Sequence, residues 1–329
     1  MTRSLKGCSL VVLACVLAAQ AQNTATRLVQ DWQAFIGQGA SSAVSEYQAA
    51  VCPDGSTYAS DGADRVVEVD AHGQTLFDQR NLPDIKSVAA IACDAGSRLV
   101  VVTARPRLIN VVQPMNGALV RTSSYSLESP VTPRRIVAAG MGYVILGMAS
   151  GGSAPLHLLS QTGAEQIAFG PKPEQATDAI LRAIANGSIV WDARRQRLTL
   201  APESPYYLYS FSADGHLLRG AAVGGPEFQP TITDWATGMK LPGDRVTGIA
   251  LLPSGGFATE VVRTRPTDSG TWRHDATVEL LDVNFRVTAR IDDPPGDLQG
   301  ADDRGNLYFT RVAPEAGAYV TRSHLEPQP

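Results

Sequence analysis

The side chains able to do chemistry are few and scattered. The five histidines, His72, His157, His216, His274 and His324, include no HExxH and no closely spaced pair, and no two cysteines stand at zinc-site spacing. Serine is common, yet no G-x-S-x-G occurs. The segment GGSAP at 151–155 lacks the second glycine and the strand–turn–helix setting of a nucleophile elbow. No Walker loop or dinucleotide fingerprint is present. Asp297, Asp302 and Asp303 fall near strand ends and are the candidate carboxylates for a divalent ion, but DDRGN is also ordinary turn sequence. Asn186-Gly187-Ser188 matches a glycosylation sequon and fits a turn equally well. These residues specify no catalytic set, and no cofactor is predicted.

One concentration of charge and rings remains. Three stretches, at 192–207, 224–245 and 263–277, carry Arg194, Arg195, Arg197, Lys240, Arg245, Arg263, Arg265 and Arg273. They also carry Tyr206, Phe228, Trp235, Trp272 and His274. Guanidinium groups pair with carboxylates and phosphates and stack on rings. Arginine and aromatic side chains are also the common anchors of binding surfaces. Two readings are open. The stretches form a site for an anionic ligand, a glycan or a partner protein, or they are solvated loops in which arginine serves solubility and tryptophan seals the base.

The elements that must position these residues repeat along the chain. An apolar run, then x-Gly, then a strand-like run appears six times, with marker glycines Gly55, Gly96, Gly142, Gly187, Gly256 and Gly305. Their intervals are 41, 46, 45, 69 and 49 residues, and four of the five are close to the roughly 40–50 residues of a four-stranded repeat unit. A second hairpin follows in the repeats, as in VVEVDAHGQTLFD and LYSFSADGHLLRG. Its Asp, Asn or Gly turn suits the positive φ of a tight connection. The sixth repeat ends one strand short. TRLVQDWQAF near the start could supply that strand and close a ring, leaving no open edge there. The spacing of Leu28, Val29, Trp32, Phe35 and Ile36 also fits an amphipathic helix; the count of strands favours closure.

The repeats, of the PDGSTYASDGADRVVEVDAHG type, resemble the six-bladed β-propellers of the NHL and SMP-30/gluconolactonase-like superfamily. The resemblance covers essentially the whole mature chain. It implies an all-β, six-bladed propeller closed by the N-terminal strand, as a single domain over 22–329. With the four strands of a unit lettered a to d from the inner one outward, it also implies that the b–c and d–a loops share one face, on which all three Arg-rich stretches would crowd over repeats four and five. That group includes enzymes and plain binders, so the fold leaves activity open. A binding module is the leading expectation. A lactonase-like hydrolase or lyase with a divalent metal in the central channel is the alternative, and an envelope scaffold is a third.

The N-terminus reads as an export signal over 1–21. Arg3 and Lys6 precede the apolar run CSLVVLACVLAA, and Ala19-Gln20-Ala21 is a cleavage site that would start the mature chain at Gln22. VLAC, ending at Cys15, is a competing lipobox that would anchor the chain by lipid. The run is shorter than the roughly 18 residues of a membrane span, so a periplasmic or extracellular monomer with no transmembrane segment is expected. Loss of Arg3 and Lys6 takes the formal charge from −4 to −6, which argues against a nucleic-acid partner. Cleavage at Gln22 leaves Cys52 and Cys93, in the matching contexts CPDGS and CDAGS. An exported pair favours a disulfide, with two buried thiols as the alternative.

Overall fold

The structure, a computed structural model, describes residues 26–37, 47–80, 82, 85–115, 118–129, 131–140, 142–149, 154–171, 178–225, 227–230, 232–234, 239–241, 243–313 and 317–327. The leader, with both Cys15 and Gln22, lies outside them.

The chain begins with β1 (Thr26–Gly37). Blade one follows as β2 (Gln48–Val51), β3 (Thr57–Ser60), β4 (Arg65–Val69) and β5 (Thr75–Arg80). Blade two is β6 (Val88–Cys93), β7 (Leu99–Ala104), β8 (Arg107–Met115) and β9 (Ala118–Ser126). Blade three is β10 (Val131–Ala139), β11 (Gly142–Ala149), β12 (Leu156–Ser160) and β13 (Glu165–Phe169). A helix, α1 (Asp178–Ala185), leads into blade four: β14 (Ser188–Asp192), β15 (Arg197–Ala201), β16 (Tyr207–Ser212) and β17 (Leu217–Ala222). A small hairpin of β18 (Ile232–Asp234) and β19 (Met239–Leu241) precedes blade five: β20 (Arg245–Leu251), β21 (Phe257–Pro266), β22 (Trp272–Leu281) and β23 (Val287–Asp292). Blade six is β24 (Asp297–Ala301), β25 (Leu307–Ala313) and β26 (Gly317–Pro327), with β1 as its outer strand. Inner strands neighbour one another in the cycle β2, β6, β10, β14, β20, β24 and back to β2. This is a six-bladed β-propeller.

The blades are apolar on both faces, so each hides one face against the next. Tyr58 and Val66 of blade one meet Leu99, Val101 and Val112 of blade two. Ala59, Val67 and Val69 meet Tyr308, Ala318 and Val320 of blade six on the other side. Full burial of a valine or leucine is worth about 1.5–3 kcal/mol, and a ring shares that gain among all six interfaces.

The closing strand is β1, antiparallel to β26 from Thr26↔Pro327 to Gly37↔Ala318. Two irregularities, at Gln30/Trp32 and Phe35/Gly37, shift its register. Bulges break strict alternation, which is why the apolar spacing here imitates a helix. The extra residue Asp31 turns its carboxylate onto Arg322 at 2.9 Å and His324 at 2.7 Å. Trp32 donates its indole N–H to Ala71 O at 3.1 Å, fastening the closure to blade one.

Blade four differs from the expectation. The repeat pattern makes ILRAIA its inner strand and Gly187 its marker. Instead those residues lie in α1, where Ile180 and Ile184, four apart, pack into the core between blades three and four. The inner strand is β14, and its turn to β15 is Asp192–Gln196, with Gln196 at φ 51° in the left-handed position. Gly55, Gly140, Gly255 and Gly305 fill that place in blades one, three, five and six. Ser97, φ 56°, fills it in blade two in place of Gly96. A non-glycine residue there removes the marker from the sequence.

Candidate functional site: the central channel

The six inner strands enclose a channel of about 520 Å³, lined from their first residues to the a–b turns. Its throat is lined by short apolar side chains, among them Ala49, Val51, Ala138, Ala301 and Leu251, with Gly300 and one large ring, Trp191. Small residues at the inner strands leave the axis open, whereas the blades fill outward.

The far end of the channel is a polar belt. Four inner strands carry a bulge, between Val88/Ala90, Pro133/Arg135, Val246/Gly248 and Leu298/Gly300. Extra residues at these bulges join neighbouring blades. Ala49 N donates to Gln299 Oε1 at 3.1 Å, and Gln48 Nε2 to Ala89 O at 3.1 Å. Ser188 Oγ donates to Thr247 O at 3.2 Å. Glu260, 1% exposed, accepts the Thr247 hydroxyl at 2.7 Å and the Leu298 N–H at 2.9 Å on one oxygen. Burial pushes its carboxyl up to about 7 against the pull of these two donors.

The turn-face mouth is charged. Asp94 accepts Gly96 N and Arg98 N in its turn and pairs with the Arg98 guanidinium at 2.6 Å. Asp192 accepts Arg194 N and Arg195 N and pairs with Arg195 at 2.9 Å. Asp302 takes Arg304 N, Asn306 N, Asn306 Nδ2 and the Tyr308 hydroxyl. Its two oxygens are thus occupied by turn donors, and Asp303 beside it is exposed. Among the described residues no group of three His, Cys, Asp or Glu side chains gathers to hold a metal ion. Asp94, Asp192 and Asp302 are turn caps, and their oxygens are taken by these donors. Cys52 and Cys93 end the inner strands of blades one and two at this mouth and form a disulfide, with Cα atoms 5.1 Å apart.

The Arg-rich stretches do not share one face. Segment 192–207 is an a–b turn, strand β15 and a short b–c loop, so Arg194, Arg195 and Arg197 lie at the turn-face end, Arg194 and Arg195 on the channel mouth itself. The one-strand shift of blade four accounts for the misplacement. Segment 263–277 is not a loop. β21 and β22 stay paired out to Pro266↔Trp272, forming a ribbon that projects on the opposite face, where the described residues of 224–245 also lie.

The arginines of that ribbon mostly serve the fold. Arg263 pairs at 3.1 Å with Glu279, which is 1% exposed and also meets Arg290 at 3.0 Å. Arg265 clamps the fully buried Asp244, which also accepts Thr264 N at 3.0 Å and Gln229 N at 2.9 Å. Burial opposes ionisation of Asp244, but Arg265 and these amides outweigh it and hold its carboxyl below the ordinary range. Tyr206 is buried, bonded to Thr259 and packed on Phe228 with ring centres 5.6 Å apart. Trp272 is 46% exposed, and Arg273 pairs with Asp275 in solvent. The His274 ring meets Thr264 Oγ1 at 3.0 Å. Lys240 lies in β19 opposite Thr233, and Trp235 falls outside the described residues.

Sequence reasoning missed a Ser–His–Glu cluster in which Ser129 and His157 are buried and Glu165 reaches the surface. His157 Nδ1 lies 3.0 Å from Ser129 Oγ and 2.8 Å from Glu165 Oε2, and its Nε2 is 3.0 Å from Ala154 O. Both ring nitrogens are engaged and the ring is 2% exposed. The group ties β12 to β13 and to the segment before β10. Polar residues inside apolar strand runs, as in PLHLL, TEVV and VELL, are the signal that could have found it, Glu260 and Glu279.

No protein-family model matches the chain, and no curated protein does. Solved structures do. A member of the DUF4221 family from Bacteroides vulgatus aligns with 93% of this chain and 100% of its own at TM-score 0.61 and 11% identity. Virginiamycin B lyase from Staphylococcus aureus aligns over 91% and 99% at TM-score 0.52 and 11% identity. A protein of unknown function from Bacteroides caccae aligns over 75% and 81% at TM-score 0.50 and 12% identity. What is shared is the fold. At such identities the likeness carries no activity from those proteins to this chain.

Proposed function

We propose that this protein is an exported binding module that receives a small ligand in its central channel through the turn-face mouth. The observation that carries the reading is the open, apolar-walled channel of about 520 Å³ between two polar ends. Its size is within the roughly 300–1,000 Å³ of small-molecule sites, and apolar walls with a few fixed polar groups are their usual make-up. Among the described lining residues there is no histidine, and the two cysteines are joined to each other. The leader sequence and the Cys52–Cys93 bridge support export, and no helix among the described residues is long and apolar enough to cross a membrane.

The test is a fragment screen by ligand-observed NMR on the native protein and on Ala138→Trp and Ala301→Trp, which place a large ring in the throat. Fragments that bind the native protein and are lost from both folded variants support the reading. Fragments retained by both variants, or none bound at all, defeat it. A second reading, a protein partner on the blade-five ribbon, is favoured by the exposed Trp272 and Arg273 at its end. Loss of a partner on Trp272→Ala, with the channel variants silent, would establish it instead.

A further inference from the structure

The charges of the turn-face mouth are sorted across the channel. Blade four supplies the cations. Arg194 is exposed, and its side chain has no hydrogen bond or ion pair among the described residues; only its backbone N–H is used, by Asp192. Arg195 is anchored on Asp192, and its guanidinium lies over Gly255 of blade five so closely that a Cβ there would overlap it. Asp192 offsets the charge of Arg195 as Arg98 offsets that of Asp94, so the net positive charge of that edge is the one carried by Arg194.

The facing arc is acidic. Blade six supplies Asp303, exposed and without a side-chain partner among the described residues. Behind it Asp302 is held by four donors, none of them from a charged side chain. Arg304, exposed on the same turn, offsets part of this charge. On blade one, Asp54 accepts the Ser56 amide and hydroxyl and keeps its charge. On blade two Asp94 is neutralised by Arg98. The turns of blades three and five contribute no charged side chain among the described residues, being Ala139-Gly140 and Leu252-Pro253-Ser254-Gly255. The mouth thus has a positive edge on blade four and a negative edge centred on blade six, with an apolar throat below.

Resting on the channel reading above, we propose that the mouth selects an apolar zwitterion of the class of short apolar peptides with free termini. The apolar body enters between Ala49, Ala138, Ala301 and Trp191. The carboxylate stays at Arg194 and Arg195, whose planar donors suit it. The ammonium stays at Asp303. A purely anionic ligand would meet Asp302 and Asp303, and a purely cationic one the unpaired Arg194, so each is disfavoured by like charge. Charge at a partly exposed mouth is screened by salt, so the selectivity weakens as ionic strength rises.

The experiment uses trileucine, N-acetyl-trileucine and trileucine amide as probes, titrated calorimetrically into the native protein, Arg194→Ala, Asp303→Asn and Ala301→Trp. Both charge variants alter exposed turn side chains, and their melting temperatures confirm that they fold. Trileucine is expected to bind the native protein about tenfold or more tighter than either capped form, a difference of about 1.4 kcal/mol per tenfold. Arg194→Ala should shrink the penalty for amidation and leave that for acetylation; Asp303→Asn should do the reverse. Ala301→Trp should abolish binding. Equal affinity for the three forms, all lost in Ala301→Trp, overturns the zwitterion and leaves the channel reading intact. The zwitterion is overturned in the same way if no tripeptide binds while screened fragments occupy the channel. If nothing depends on Ala301→Trp, both readings fall.

Discussion

Glu260 gives this fold a pH dependence that one substitution can isolate. It sits on β21 between blades five and six, buried, with Thr247 and Leu298 donating to it. Burial moves its carboxyl from an ordinary 4.5 to about 7. The native state then holds a proton that the unfolded chain releases between those values. Stability from this group is fully present below 4.5 and is lost as pH rises through 7. Each pH interval of one is worth 1.36 kcal/mol, so the loss is about 3 kcal/mol in total, an order-of-magnitude figure. Glu260→Gln cannot titrate. Urea unfolding of both proteins between about pH 5 and about pH 8 is the assay. The native protein should lose about 3 kcal/mol more than the variant across that span. A difference that stays flat with pH would refute the buried, protonated state given to Glu260, since the other titrating groups cancel between the two proteins.

Other consequences are as specific. Arg263→Ala leaves the buried Glu279 with Arg290 as its one remaining ion-pair partner among the described residues and should cost on the order of 2–4 kcal/mol in urea unfolding; Arg273→Ala, at an exposed pair, should change stability by less than about 1 kcal/mol. Replacing Cys52 and Cys93 by serine opens a loop with a sequence separation of 41. The cost should reach about 4 kcal/mol, read from the shift in denaturation midpoint. Deleting residues 26–37 removes β1 and bares the edge of β26; size-exclusion chromatography should show association of the truncated chain, because an unpaired edge invites strand pairing.

Much of the architecture was legible because turn chemistry repeats. Gly55 and Gly305 occupy left-handed turn positions at φ 87° and 86°, and a glycine there is both cheap and visible. Gln196 fills the same position in blade four at φ 51° and is invisible to a search for glycine. That single residue, together with the apolar face of α1, displaced blade four by one strand and carried Arg194, Arg195 and Arg197 to the wrong face. The ribbon of blade five misled for a different reason. RTRPTDSGTWRHDAT is polar because it projects beyond the blade, and polar strand pairs look like loops. Its arginines were legible as a cluster but not as partners. Asp244 and Glu279 are separated from Arg265 and Arg263 by 21 and 16 residues, and only the folded register brings them together. The channel left no mark at all, since alanine and glycine on an inner strand read as ordinary strand residues until six such strands face one axis.

The central claim is that a ligand enters the ring along its axis. A crystal structure of the native protein grown with the tightest-binding screened fragment tests it most directly. Fragment density between the six inner strands, against Trp191 and below Arg194, is the predicted result. Density confined to the blade-five ribbon or the outer strands, with the throat holding only solvent, would contradict it.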